Sequence, residues 1–263
     1  MGNAVFYAAC GTGFTFLMTA LGAAVVFLFK KDVDKKVERA FMGFAGGVML
    51  AACVWSLLIP AIEDAKESVW PAWLPVACGF AAGGLFLFGM DRLIAGWFDR
   101  MGDERRFFGM TKNTTLLLAA VALHNIPQGI ATGLSFLMAL EESGRQVFAA
   151  AVVLAFGIGI QNLPEGSAVA IPIRRDCVDK KRAFFISAGA GILEPICGIG
   201  VTLLGKNAGN LMPWMLSFAA GAMIYVISEE LIPEAAGSGN DRAGVLGVMI
   251  GFLIMMVLNV ALG

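Results

Sequence analysis

Seven side chains able to ligate a cation stand in stretches otherwise apolar enough to lie in lipid. Six belong to one phrase written twice. Leu123-His124-Asn125-Ile126-Pro127-Gln128-Gly129 is followed, 37 residues on, by Ile160-Gln161-Asn162-Leu163-Pro164-Glu165-Gly166. The seventh is Glu194, again beside a proline, Pro195. Polar side chains at membrane depth are expensive and are by default read as functional. One imidazole, the carboxylates of Glu165 and Glu194, and amide oxygens from Asn125, Gln128, Gln161 and Asn162 make a hard-to-borderline cation site. Imidazole suits zinc, copper, iron and nickel, and oxygen ligands widen acceptance toward manganese.

Spacing adds to this reading. On a helix, residues at i and i+4 share a face, so His124 stacks with Gln128 and Gln161 with Glu165, each with an Asn one step round. Pro127 and Pro164 lack an N–H and free the carbonyls of Leu123 and Ile160, which predicts a kink in each helix. A freed carbonyl in lipid needs a partner, which a side chain, water or cation can supply. Gly129 and Gly166 then let a neighbouring backbone come close.

The elements that must position these groups are membrane spans. The chain has 263 residues, 58% of them apolar and only 15% charged, with 33 glycines and a mean hydropathy of +0.78. A span needs roughly 20 apolar residues, and eight stretches qualify, at about 4–29, 40–62, 72–98, 114–138, 147–173, 183–205, 211–235 and 243–262. The runs are continuous rather than alternating, which predicts helices and excludes a barrel. The expected fold is therefore an all-α, eight-helix polytopic membrane protein, residues 1–263 forming one domain. Spans 4 and 5 are antiparallel neighbours, so the two phrases can meet head to tail about a pseudo-two-fold axis in the membrane plane.

Charge sets the orientation. Sixteen of the nineteen basic residues fall in the loops after spans 1, 3, 5 and 7 or beside them, among them Lys30, Lys31, Lys35, Lys36, Arg39, Arg92, Arg100, Arg105, Arg106, Arg174, Arg175 and Arg242. Only Lys66, Arg145 and Lys206 lie on the other side, so both termini are expected outside the cytoplasm. Glu63, Asp64, Glu67, Glu141 and Glu142 give the outer loops an acidic cast able to gather cations. Glu229, Glu230 and Glu234 fall at the cytoplasmic end of span 7, as an interfacial cluster or exit vestibule rather than primary ligands. The five cysteines, Cys10, Cys53, Cys78, Cys177 and Cys197, are scattered without a CxxC pair and read as small packing residues. Gly79/Gly83 and Gly247/Gly251 suggest close helix crossings. Ser56-Leu57-Leu58-Ile59-Pro60 in span 2 echoes Glu229-Glu230-Leu231-Ile232-Pro233 in span 7, a further hint of an inverted repeat. The first apolar run lacks the basic lead of a cleaved signal and is expected to be retained.

Together, the eight spans, the outward termini and the two phrases resemble the ZIP family of divalent-metal transporters. Gln161 at the head of the second phrase, and a third loop without histidines, are similar to its GufA-like bacterial branch. The resemblance implies a homodimer in the bacterial inner membrane with a 3+2+3 inverted repeat. It implies passage of zinc, with iron, manganese, cobalt or cadmium, toward the cytoplasm. It further implies a two-metal centre, one site made by His124, Gln128, Gln161 and Glu165 and the other by Asn125, Asn162, Glu165 and Glu194, with spans 1, 4, 5 and 6 sliding against 2, 3, 7 and 8. The partners are thus metal cations, lipid and a second copy, with no cofactor, catalysis or nucleic acid. The family's first phrase ends Pro-Glu-Gly, and Gln128 replaces that Glu here. With two carboxylates the centre balances one divalent ion, and two would leave a net charge of +2 in a low-dielectric setting. One metal at a time, held more weakly than in a Glu-bearing relative, is the expectation.

Other classes stay open at this point. Structure alone can use His, Asn and Gln to tie helices together, although two matched prolines and two midplane acids exceed that need. An intramembrane hydrolase needs a nucleophile–base pair or a metal motif such as HExxH, and the chain has one histidine and no such spacing. A cation channel or proton-coupled pathway through Glu165 and Glu194, and a metal sensor that transports nothing, complete the alternatives.

Overall fold

The computed structural model describes residues 2–28, 35–101, 109–141, 145–176, 179–205, 209–237 and 242–262. Lys30, Lys31, Arg105, Arg106, Glu142, Cys177 and Lys206 lie outside the described residues, as do the side chains of Arg100, Glu141 and Arg145. Among the described residues every element is helical, and eight helices are long and apolar enough to cross a membrane: Asn3–Leu28, Lys35–Ala65, Trp73–Trp97, Lys112–Leu140, Gln146–Asp176, Lys180–Gly205, Met212–Ala236 and Ala243–Ala261. They are spans 1 to 8 below. Several outrun the apolar stretches that announce them, because charged turns such as Lys35 to Arg39 and Arg174 to Asp176 continue the helix beyond the hydrocarbon. Trp70, Trp73 and Trp97, exposed near the span ends, stand where amphipathic rings favour the membrane–water boundary.

The packing partners reveal the repeat. Span 1 lies along span 5 as span 6 lies along span 4, and span 2 lies along span 8 as span 7 lies along span 3. The weaker contacts of 2 with 5 and 7 with 4 obey the same rule. Exchanging 1 with 6, 2 with 7, 3 with 8 and 4 with 5 reproduces the pattern, as a 3+2+3 inverted repeat requires. Glycine makes the equivalent contacts possible. A Cβ at Gly83 would collide with the Phe218 carbonyl where span 3 meets 7, and one at Gly251 with the Phe44 carbonyl where span 8 meets 2. The two glycine pairs singled out in the sequence thus occupy matched crossings, where small residues let backbones approach.

Two blocks result. Spans 1, 4, 5 and 6 all touch one another, and spans 2, 3, 7 and 8 gather around the 2–8 and 3–7 pairs. The largest apolar cluster lies between the blocks, with Met49 and Leu57 of span 2, Leu134 and Met138 of span 4, Leu154 and Ile158 of span 5, and Leu216 and Met223 of span 7. Side-chain hydrogen bonds tie the spans of each block together: Ser56 to Asn259 (2.9 Å) and Tyr225 to Asp91 (3.2 Å) in one, Thr202 to Gly133 (3.2 Å) and Ser187 to Gly166 (3.0 Å) in the other.

Proline acts differently at three places. Helix continues through Pro127 and Pro164, so the expected disturbance of spans 4 and 5 stops short of a break. In spans 2 and 7 a π-helical turn precedes each proline, Cys53–Leu58 before Pro60 and Ile227–Leu231 before Pro233. The wider i→i+5 turn is the local adjustment that absorbs the missing donor. These matched turns coincide with the echo between spans 2 and 7. Span 6 does break, at Gly191 and Ile192, between helices Lys180–Ala190 and Leu193–Gly205.

Candidate metal centre

The site is built where spans 4, 5 and 6 converge. His124, Asn125, Gln128, Gln161, Asn162, Glu165 and Glu194 are all buried, none more than 6% exposed. The two glycines that follow the phrases do what their position suggests. A Cβ at Gly129 would collide with the Glu194 carbonyl oxygen of span 6, and one at Gly166 with the Thr19 carbonyl oxygen of span 1. Backbones therefore approach closely on both flanks of the phrases, drawing spans 6 and 1 onto spans 4 and 5.

The break in span 6 places the second acid. Asn125 Nδ2 donates to the Ala190 carbonyl (3.1 Å), the last residue of the first half-helix, and so satisfies an acceptor the break exposes. Glu194 then sits in the first turn of the second half-helix, where the positive end of the helix dipole favours a carboxylate. Asn162 Nδ2 donates to Glu194 Oε1 (2.6 Å) and to the Thr15 carbonyl (3.3 Å). An acceptor opposite each Nδ2 fixes the amide orientation, because only the nitrogen can donate. In both asparagines this leaves Oδ1 as the free atom.

What remains free defines the chemistry. Among the described residues, the buried side-chain nitrogens and oxygens without a hydrogen-bond partner are both ring nitrogens of His124, Oδ1 of Asn125 and Asn162, both amide atoms of Gln128 and Gln161, Oε1 of Glu165, Oε2 of Glu194, and the hydroxyls of Thr132 and Ser135. Buried polar groups in folded proteins are almost always paired. All seven residues singled out in the sequence carry an unpaired atom, and together they offer the imidazole, carboxylate and amide donors that a divalent cation would satisfy. Glu165 has His124, Glu230 and Gln128 as electrostatic neighbours, and Glu194 has Thr15, Glu165, Asn162 and His124. Gln161 is tied to the others only by its place one turn before Glu165. Among the described residues no three His, Cys, Asp or Glu groups cluster as a metal site on their own.

A cavity of about 630 Å3 leads to this centre from one end of the helix bundle. His124 and Glu165 stand at its inner limit, and its walls include Val121, Val169, Pro172, Asp91, Glu229, Glu230 and Glu234. It opens toward the end that carries Lys112, Arg174 and Arg175. The Glu229, Glu230 and Glu234 group is thus a vestibule, and Glu230 Oε2 comes to 3.6 Å from His124 Nδ1. At the opposite end, Glu63 and Glu67 are exposed and Asp64 is half-buried, and the acid-lined opening lies at the basic end instead.

Sequence reasoning missed Asp91, whose neighbour Arg92 makes it look like half of an interfacial pair. It also missed Thr15 beside Glu194 and the orphan hydroxyls of Thr132 and Ser135. The described cysteines are free. Cys53 is buried as a packing residue should be, Cys197 is half-buried, and Cys10 and Cys78 are exposed on the faces of their spans rather than packed in the core.

Known proteins similar to this chain in sequence are named zinc transporters. The sequence profile of the ZIP zinc transporter family matches residues 105–259. The zinc transporter GufA of Myxococcus xanthus is 37% identical over 93% of this chain and 94% of its own. Human zinc transporter ZIP11 is 32% identical over 99% of this chain and 98% of its own, and zinc transporter ZIPB of Bordetella bronchiseptica is 33% identical over 98% and 82%. With the family profile covering more than half of the chain and such relatives matching nearly all of it, this multi-pass membrane protein belongs to the ZIP zinc transporter family.

Proposed function

We propose that the chain is a carrier that moves zinc, and with it iron, manganese, cobalt or cadmium, across the membrane through the centre between spans 4, 5 and 6. The observation that carries this reading is the set of unpaired imidazole, carboxylate and amide atoms at the blind end of an acid-lined cavity. A divalent cation has to exchange hydration water for ligands at membrane depth. His124 and Glu165 offer a nitrogen and an oxygen at the cavity, and Gln128 and Gln161 offer amide oxygens one turn along the same two spans. Asn125, Asn162 and Glu194 offer oxygens on the side facing the span 6 break, and Glu165 adjoins both groups. Two carboxylates balance one divalent ion, so one cation occupies the centre at a time.

Release follows the gradient of carboxylates. Glu230 stands next to His124, and Glu229, Glu234 and Asp91 line the way out. Under the positive-inside rule the basic end of the cavity faces the cytoplasm, which puts both termini outside and directs cargo inward, across a bacterial inner membrane. Residues 1–263 act as one transport unit, paired with a second copy. A methionine-bearing apolar interface between the blocks suits sliding of spans 1, 4, 5 and 6 against 2, 3, 7 and 8, since thioether side chains adapt to changed neighbours. A continuous cation channel or proton pathway through Glu165 and Glu194 is less well supported, because the cavity ends at His124 and Glu165. The test is zinc uptake by liposomes holding the purified protein. The carrier reading expects saturable, zinc-selective flux, and an unsaturable, voltage-proportional current would replace it with a channel.

A further inference from the structure

The inverted repeat allows the open half of the membrane to predict the lining of the closed half. On span 5 the open cavity is walled by Glu165, Val169 and Pro172, at successive turns along one face. The register of the two phrases carries Glu165 to Gln128, Val169 to Thr132 and Pro172 to Ser135 on span 4. Thr132 and Ser135 therefore stand in the closed half where cavity wall stands in the open half. Both are buried, 1% and 9% exposed, and neither hydroxyl has a partner.

That lack of a partner is unusual for a helical hydroxyl in this molecule. Thr12, Thr19, Thr202 and Ser217 each donate to the carbonyl four residues back, at 2.7, 3.3, 2.7 and 2.5 Å, the bond such side chains find in apolar surroundings. Thr132 and Ser135 have carbonyls at the same offset and leave them. By their spacing, both residues stand on the face of span 4 that continues from His124 and Gln128.

We propose that Thr132 and Ser135 line a second half-cavity, closed in this structure, and that their hydroxyl oxygens receive the hydrated divalent cation between the far side of the membrane and the central site. The inference rests on the carrier reading and deepens it. It also makes the two halves chemically unequal. The open half has four carboxylates, Asp91, Glu229, Glu230 and Glu234, whereas the repeat places neutral hydroxyls on the other side. Neutral oxygens guide an ion without holding it, as passage through successive sites requires.

Thr132→Val and Ser135→Ala, singly and combined, and Thr132→Ser are compared with the unaltered protein in liposomes, with zinc uptake, zinc binding in detergent and thermal stability measured on each. Loss of both hydroxyls is expected to raise the KM for zinc about fivefold, the scale of losing weak polar contacts. Equilibrium zinc affinity of the central site should stay near that of the unaltered protein, and stability should hold or rise because orphan hydroxyls are gone. Thr132→Ser should recover most of the KM. Unaltered KM in Thr132→Val and Ser135→Ala, or equal impairment in Thr132→Ser and Thr132→Val, would overturn the proposal while leaving the carrier reading intact. Flux of the unaltered protein no greater than that of empty liposomes would remove the carrier reading and this proposal with it.

Discussion

Spans 4 and 5 bear the same phrase in the same register and use it for different ends. Span 5 holds the charge: Glu165 adjoins His124 on one side and Glu194 on the other, and beyond it the wall turns apolar at Val169 and Pro172. Span 4 holds the only imidazole, an uncharged Gln128, and hydroxyls at the positions matching Val169 and Pro172. The same division runs through the scaffold. In span 7 the π-turn presents Glu229 and Glu230 to the cavity, whereas in span 2 the matching residues are Ser56, bonded to Asn259, and Leu57, in the core. A repeat that is symmetric in backbone and asymmetric in charge gives one centre two different faces. Carboxylates line the open cavity, whereas the residues of spans 2 and 4 that match its wall by the repeat are uncharged.

The largest expected effect removes the charge from span 5. Glu165→Gln should lower zinc affinity by about a hundredfold or more, because Glu194 is then the one carboxylate left among the proposed ligands to balance a divalent cation. Gln128→Ala in span 4 should lose about tenfold or less, and equal losses at the two positions would break the comparison. Next, Gln128→Glu makes the phrases alike in charge. It should raise affinity about tenfold and the stoichiometry from one zinc to two, as equilibrium dialysis would read. Two tightly bound ions in the unaltered protein would refute the charge argument. Glu230→Gln touches the carboxylate face alone. A decrease of about threefold in maximal uptake rate is expected with little change in stoichiometry, since the route out loses one charge. Ser56→Ala alters only the scaffold counterpart. Loss of its bond to Asn259 should cost about 1 kcal/mol in detergent unfolding, with uptake retained.

The spans were legible because lipid imposes length and apolarity on each helix separately, and the burial of the candidate ligands because a repeated His/Gln-Asn-x-Pro phrase is too expensive at that depth to face lipid. Expectations failed or fell short where tertiary contact decides. The carbonyl exposed at the span 6 break, Ala190, finds its partner in Asn125, 65 residues away. Glu230 gains its significance from His124, which only the packing of span 7 against span 4 brings near. Thr132 and Ser135 look like any hydroxyl in an apolar helix until the missing back-bond distinguishes them from Thr12 or Thr202. The echo of Ser56–Pro60 in Glu229–Pro233 was visible, but that both ends carry π-turns follows from how each proline's lost donor is accommodated.

The central claim is that zinc crosses through the unpaired ligands of spans 4, 5 and 6, with Glu165 as the charged residue common to both faces. Radioactive zinc uptake into liposomes, comparing the unaltered protein with a folded Glu165→Ala variant, tests it most directly. The account predicts saturable uptake by the first and uptake at the level of empty liposomes by the second. Undiminished zinc uptake through Glu165→Ala would contradict it.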